Sequence, residues 1–317
     1  MTDTSYPKAN AHADQQRGFS LVELMVAVAL LAVLMAGLVE LFVSNSRNAN
    51  ATASLSRIQE TGRTALQLLT ADIRRAGYFG GNAVSDFEGS LGEAASASAC
   101  VSGTTTWGRM VGQPTFGVND VKPSTVGYTC IADSEYLRGD VLTVRYTPSQ
   151  SVLAGAMVAK MPYIKASVVE GKIFAGEDEA DAENQVIDLG ARNYVLAAHT
   201  YYIGPTGRSC QGVAIPALFR KSIGTTGLPV SSELVAGVEH MQFKYQVGNQ
   251  YVDANDIAIA GWDTVNAVEP TLLVRSECPE NGFVNDRTFA MGDLGAAYGP
   301  TDGFRRQVYT SLSWVRN

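Results

Sequence analysis

The sequence contains few of the side chains that catalyse reactions or bind metals. Only 17% of its 317 residues are charged, and it has four cysteines and three histidines. It has no Gly-x-Ser-x-Gly, no His-Glu-x-x-His, no phosphate loop and no dinucleotide-binding fingerprint. His12, His199 and His240 are isolated from one another in the sequence. The sequence therefore predicts that the protein is not an enzyme and has no cofactor and no metal.

Positive charge is also scarce. Lys and Arg number 24 against 31 Asp and Glu, so the net charge is −7, and the basic residues form no run. Because nucleic-acid binding depends on clustered positive charge, nucleic acid is not expected as a partner. With 46% apolar residues, the chain is expected to fold and to have protein or lipid as its partner.

Two acidic segments, residues 177–183 and 253–256, contain closely spaced carboxylates. Both lack the Asp-x-Asp-x-Asp-Gly spacing of a calcium loop. We interpret them as solvated loops, and calcium binding is the alternative.

The longest apolar segment begins at Phe19 and ends at Val43, after a polar N-terminal stretch. As a helix it would be about 37 Å long, enough to cross a bilayer core of about 30 Å. A secretory signal peptide is the alternative, but this segment is longer, and no Ala-x-Ala-like site follows it directly. Glu23 lies inside it, and a carboxylate in lipid is costly, so Glu23 is expected to pair with a cation.

Residues 17–24 (RGFSLVEL) resemble the processing motif of type IV prepilins and pseudopilins. The resemblance implies that a prepilin peptidase cleaves between Gly18 and Phe19 and that Phe19 becomes N-methylated. It also implies that Glu23 neutralises the N-terminal amine of a neighbouring subunit during filament assembly. The missing cation would then come from another subunit.

After Val43 the apolar residues recur every three or four positions, which predicts an amphipathic helix. One helix could therefore extend from about Phe19 to about Ala76, and two helices broken near residues 45–50 are the alternative. The remainder predicts an antiparallel sheet packed on this helix, with a loop-rich insertion at about 81–139. Alternating residues Met241 to Val247 predict a strand with one solvated face. The clearest predicted strands are 140–146, 237–247, 271–275 and 307–315.

Further patches are similar to the PilW family of type IV pilus minor pilins. They are residues 68–80 (LLTADIRRAGYFG), 234–243 (LVAGVEHMQF), 272–276 (LLVRS), 305–309 (RRQVY) and the closing Arg316-Asn317. The resemblance implies an α+β, type IV pilin-like fold. Its implied partners are prepilin peptidase, other minor pilins, the major pilin and a tip adhesin.

The prediction divides the chain into four parts. They are a leader (1–18), a transmembrane or filament-core helix (19–43), its amphipathic continuation (44–79) and a β-rich head (80–317). The protein is expected in the inner membrane with its head in the periplasm, as a minor pilin that primes or caps a type IV pilus. A minor pseudopilin of type II secretion, similar to GspJ, is the first alternative. A membrane-tethered periplasmic enzyme or binding protein is the second.

All four cysteines follow the apolar segment, and in an oxidising periplasm disulfides are expected. Four cysteines allow three connectivities. On grounds of loop closure we expect nearest neighbours to pair, Cys100 with Cys130 and Cys210 with Cys278. A metal site is the alternative, although no Cys-x-x-Cys is present.

Overall fold

A computed structural model describes residues 18–81, 87, 89, 111–127, 129–180, 190–292, 294 and 298–316. The chain divides into two units, Met1–Ala53 and Ser54–Asn317. One helix, α1, extends from Leu21 to Ile73, so the chain is helical through residues 45–50 and the alternative of two helices is wrong. The strands are β1 (Thr115–Val118), β2 (Arg138–Tyr146), β3 (Pro162–Ala166), β4 (Gly171–Ala175), β5 (Arg192–Val195), β6 (Ala197–Cys210), β7 (Val213–Ile223), β8 (Pro229–Ala236), β9 (Val238–Val247), β10 (Gln250–Val252), β11 (Val265–Arg275), β12 (Arg306–Thr310) and β13 (Ser313–Trp314).

The strands form three sheets. The first has the order β1-β2-β6-β7-β8, and the second has the order β10-β9-β11-β12, with β13 also paired to β11. The third is small and has the order β4-β3-β5. Every strand pair in them is antiparallel. The predicted fold class, a long N-terminal helix with a mainly antiparallel β domain, is confirmed.

The largest core cluster joins the second part of α1 to the two large sheets. Ile58, Leu69 and Ile73 of the helix are buried, together with Leu142 of β2 and Phe243 of β9. These helix positions recur at the spacing that the sequence predicted, because residues three, four and seven apart share one side of a helix. Burying such side chains contributes about 1.5–3 kcal/mol each, which explains why this part of the helix is tied to the sheets.

Gly62 allows α1 to approach the second sheet closely. A Cβ built at Gly62 would lie 2.4 Å from Cε2 of Tyr309 in β12. No side chain larger than hydrogen fits there without movement of the tyrosine ring. Gly62 is therefore a packing position.

The chain's C-terminal residues meet the end of α1. The backbone N–H of Arg316 donates to the carbonyl of Ala76 at 3.0 Å, and the Arg316 guanidinium lies 4.8 Å from the centre of the Tyr78 ring. Gly77 has a φ of +84°, and a Cβ there would lie 2.2 Å from the Arg316 carbonyl oxygen. This contact explains why a glycine follows the helix at this point.

Two strand predictions need correction. The predicted solvated face of β9 is wrong for Gln242, which is fully buried and lies against Gly292, in the segment that follows β11. His240, predicted on the same polar face, is also buried, with its ring centre 5.6 Å from that of Tyr298. The predicted strand 307–315 is split into β12 and β13, and the long strands β6 and β7 were not predicted.

Candidate functional site

The predicted processing site lies on exposed backbone ahead of α1. Gly18, Phe19 and Ser20 precede the helix, and Phe19 is 84% exposed. The backbone N–H of Leu24 donates to the carbonyl of Ser20 at 3.1 Å, which makes Ser20 the N-cap residue. The Gly18–Phe19 peptide bond is therefore outside the helical hydrogen bonds, as a peptidase substrate needs to be.

Glu23 lies in the first turn of α1, three residues after Ser20. Ser-x-x-Glu is the pattern of a capping box, and a carboxylate in the first turn is favoured by the helix dipole. Within the described residues, Glu23 forms no ion pair. The carboxylate thus has a favourable backbone environment and no cation from the described part of its own chain.

The helix that carries Glu23 has an apolar surface that its own chain does not cover. Every large apolar side chain from Leu21 to Phe42 is at least 53% exposed. Among the described residues, α1 is the one helix long and apolar enough to cross a membrane, judged by length and composition. An apolar surface of this extent indicates contact with lipid or with other proteins.

A buried polar cluster at the other end of α1 was not predicted. Asp72 is 5% exposed, and its carboxylate accepts hydrogen bonds from Tyr146 (2.9 Å), Tyr201 (2.5 Å) and Nδ1 of His199 (2.5 Å). Arg75 approaches at 3.5 Å. The donors lie 74 to 129 residues from Asp72 in the sequence, so no local pattern points to them. The cluster connects the end of the helix to β2 and β6.

The pKa values in this cluster follow from burial and hydrogen bonding. Burial alone raises the pKa of Asp72, but the hydrogen bond and charge of His199, with the two tyrosine hydroxyls, hold that pKa below its ordinary value. Burial, and then the charge of Asp72, raises the pKa of Tyr146 to about 12. Asp72 is therefore ionised at neutral pH, and Tyr146 keeps the proton that it donates.

A second ionic cluster fastens the C-terminal strands. Arg306 donates from Nε to Glu239 at 2.5 Å and from Nη1 and Nη2 to Asp302 at 2.6 and 2.7 Å. The hydroxyl of Tyr298 donates to Glu239 at 3.1 Å. Since both carboxylates are occupied by the same guanidinium, the cluster stabilises the fold and leaves neither of them free to act as an acid or base.

His240 and the two acidic segments have contacts within the protein that do not indicate catalysis or metal binding. Burial, the largest influence, lowers the pKa of His240. In the acidic segments, Glu177 pairs with Lys160 at 2.6 Å and Asp253 pairs with Lys244 at 2.5 Å. No group of three His, Cys, Asp or Glu side chains suited to a metal occurs among the described residues. Residues 181–183 of the first acidic segment lie outside them.

Cys210, at the end of β6, forms a disulfide with Cys278, 68 residues away. This is the nearest-neighbour pairing expected for these two cysteines. Cys100 lies outside the described residues, so its pairing with Cys130 stays a prediction.

Comparisons with known proteins match both ends of the chain. Residues 200–317 match the family model "Type IV Pilus-assembly protein W" (PilW), and residues 14–39 match the "Prokaryotic N-terminal methylation motif". The first match begins within β6 and extends through β13, and the second covers the processing segment and the first part of α1. The proteins of this family are structural pilins.

Two individual proteins from Thermus thermophilus are also similar. "Pilin-like protein PilA3" is 44% identical over 62 residues, which are 20% of this chain and 27% of that protein. The match thus spans about a quarter of the relative's length. The solved structure of "Type IV-like pilin TTHA1219" is 13% identical, covers 82% of this chain and 95% of its own, and has a TM-score of 0.35.

The processing motif, the exposed apolar helix and the C-terminal strands thus each have a counterpart among pilins. The resemblance noted in the sequence is confirmed at the two ends that carried it. The chain is therefore similar to type IV pilins, with a processing segment that matches the methylation motif and C-terminal strands that match the PilW family model.

Proposed function

We propose that this protein takes part in assembling a type IV pilus, in the complex that primes the filament or forms its tip. One observation carries the proposal. An exposed apolar helix has in its first turn a carboxylate, Glu23, that forms no ion pair within the described residues and directly follows the Gly18–Phe19 motif. A plain membrane anchor gains nothing from such a carboxylate, whereas assembly of subunits side by side does.

In the proposed mechanism, prepilin peptidase cleaves after Gly18, and the new N-terminal residue, Phe19, is methylated. The protein is then held in the inner membrane by residues 19–43, with its head in the periplasm. An unpaired carboxylate in lipid costs a few kcal/mol. Pairing Glu23 with the N-terminal amine of a neighbouring subunit offsets that cost, since two opposite charges attract strongly at low dielectric.

The head domain would then select the neighbours, which we propose are other minor pilins, the major pilin and a tip adhesin. The Cys210–Cys278 disulfide supports the periplasmic placement of the head, because disulfides persist in oxidising compartments.

The test uses cells that lack this gene and cannot retract pili, complemented with the full-length chain or a variant. The variants are Glu23→Ala and, as a matched control, Glu40→Ala, which changes the other carboxylate of the apolar segment. Surface pili sheared from the cells are measured beside secretion of a type II substrate. Cleavage of the leader is followed for each variant, so that a processing defect is separated from an assembly defect.

We expect loss of the gene to remove most sheared pili while secretion continues. Glu23→Ala should have the same effect, whereas Glu40→Ala should assemble pili normally. Secretion lost with pili intact would instead assign the protein to a type II pseudopilus. Normal pili and normal secretion with Glu23→Ala would contradict the assembly role of Glu23 and favour a tethered protein of another kind.

A further inference from the structure

The part of α1 that packs on the sheets has an exposed side rich in arginine. Arg57, Arg63, Arg74 and Arg75 are exposed, whereas the helix positions that include Ile58 and Leu69 are buried. Arg57 and Arg63 lie in α1, and Arg74 and Arg75 lie in the turn directly after it, where the backbone N–H of Arg74 still donates to the carbonyl of Thr70 at 3.0 Å. At about 100° per residue, the four arginines lie within an arc of about 120° on the side opposite the buried stripe. We call this set, Arg57, Arg63, Arg74 and Arg75, the arginine face.

Of these four arginines, Arg75 is engaged by the described chain, because it approaches Asp72 and lies 5.7 Å from the centre of the Tyr146 ring. Among the described residues, Arg57, Arg63 and Arg74 form no ion pair. Arg75 is 3.5 Å from Asp72, and its side chain is 58% exposed. Glu60 lies within the same arc, and this one exposed carboxylate is not bonded to its arginine neighbours. The face therefore keeps a net positive charge and free guanidinium donors.

The positive charge of this face contrasts with the rest of the protein. Residues 77–317 hold 25 acidic and 17 basic side chains, a net charge of −8. Residues 54–76 hold four arginines against Glu60 and the buried Asp72. Residues 54–76 thus have a net charge of +2, four basic against two acidic residues, whereas residues 77–317 are net negative.

The chemistry of the face favours an acidic protein surface. Arginine is enriched at protein interfaces, and its planar guanidinium pairs with carboxylates in a bidentate manner. Leu68, 36% exposed, lies at the edge of the same arc and adds an apolar contact.

We propose that the arginine face is a docking surface for an acidic side of a neighbouring pilin subunit. The proposal rests on the proposed function and adds to it a second contact. The apolar segment would hold subunits together through packing of apolar side chains and through the ion pair of Glu23 with a neighbouring N-terminal amine. The arginine face would select which subunit lies alongside, because charge complementarity contributes mainly to partner choice.

The experiment reverses the charge of three arginines in the full-length chain, Arg57→Glu, Arg63→Glu and Arg74→Glu together. The control reverses Arg192 and Arg287, which are exposed elsewhere and form no ion pair within the described residues. A photo-crosslinking amino acid replaces Gln67, an exposed residue between the arginines. Crosslinked products in pilus-forming cells are identified by mass spectrometry, and sheared pili are measured in parallel.

We expect Gln67 to crosslink to another pilin subunit next to a cluster of Asp or Glu. The triple reversal should lower both that product and the sheared pili by about tenfold or more, and the control should leave both unchanged. Changing the crosslinked carboxylates of the partner to Lys should restore assembly with the triple variant. An equal effect of the triple variant and the control, or a crosslink to lipid or to a site without carboxylates, would overturn the proposal.

Glu23→Ala, measured in the same cells, separates this proposal from the proposed function. If Glu23→Ala abolishes pili while the triple reversal does not, only the docking surface is refuted. If Glu23→Ala leaves pili intact, the assembly role itself fails.

Discussion

The buried carboxylate of Asp72 offers a prediction whose size follows from the structure. Asp72→Ala leaves two tyrosine hydroxyls and Nδ1 of His199 without their acceptor, and each buried unsatisfied group costs about 1–3 kcal/mol. Neighbouring losses are not additive, so we expect the free energy of unfolding to fall by about 3–5 kcal/mol, the range for breaking a buried ionic contact. Asp72→Asn keeps one acceptor oxygen and should cost about 2 kcal/mol.

The assay is urea unfolding of the detergent-solubilised protein, followed by tryptophan fluorescence, since Trp262 is 2% exposed and reports on the core. Asp133→Asn is the matched control. Asp133 is an exposed carboxylate 3.6 Å from Lys122, and its loss should leave the free energy of unfolding nearly unchanged. Equal effects of Asp72→Asn and Asp133→Asn would refute the reasoning.

The dependence on pH gives an independent check. The pKa of Asp72 is lower in the folded protein than its ordinary value of 3.8. A group with a depressed folded pKa stabilises the protein above its unfolded pKa, and this stabilisation is lost as the pH falls through the folded pKa. The stability difference between wild type and Asp72→Asn should therefore be constant above about pH 5 and shrink as the pH falls below about 4. A difference that stays constant down to about pH 2 would contradict it.

Three further predictions use the same unfolding assay. Gly62→Ala should destabilise by about 1–3 kcal/mol because its Cβ meets the Tyr309 ring, whereas Gly37→Ala, with no atom within 4 Å, should not; equal effects would contradict this packing. Replacing both Cys210 and Cys278 with serine should lower the free energy of unfolding by about 4 kcal/mol, because the disulfide closes a loop of 68 residues. An unchanged urea midpoint would contradict this prediction. Because the pKa of Tyr146 is raised to about 12, its neutral hydroxyl stabilises the protein fully below about pH 10, and this stabilisation is lost as the pH rises towards 12. In Tyr146→Phe, the free energy of unfolding should therefore fall less steeply between about pH 10 and 12 than in the wild type.

The features that could be predicted are those that a local pattern encodes. The buried stripe of α1 followed from spacings of three and four along the helix. The processing motif is contiguous, so residues 17–24 were enough to identify it. In both cases the signal and the structure lie within a few turns of one helix.

The features that could not be predicted depend on distant parts of the chain. Gln242 is polar and alternates with apolar neighbours, yet the segment containing Gly292 covers it. Strand β7 lacks clean alternation, because several consecutive residues from Ile215 to Leu218 are buried. Asp72 reads as one more polar residue of an amphipathic helix, since its three donors come from β2 and β6. Only the fold brings these residues together.

The apolar stripe of α1 does not by itself determine the register of the helix on the sheets, whereas the contacts of the Asp72 cluster and of Gly62 depend on that register. Positions such as Ile58, Ala65 and Leu69 are similar in chemistry, so a helix displaced by one turn, about 5.4 Å, would still bury an apolar stripe. It would, however, separate Asp72 from its donors and bring a side chain with a Cβ against Tyr309. We infer that these two contacts set the register of the helix on the sheets, a role attested for other buried polar groups. A fixed register matters to the proposed assembly, because it also determines the position along the sheets at which the arginine face meets a neighbouring subunit.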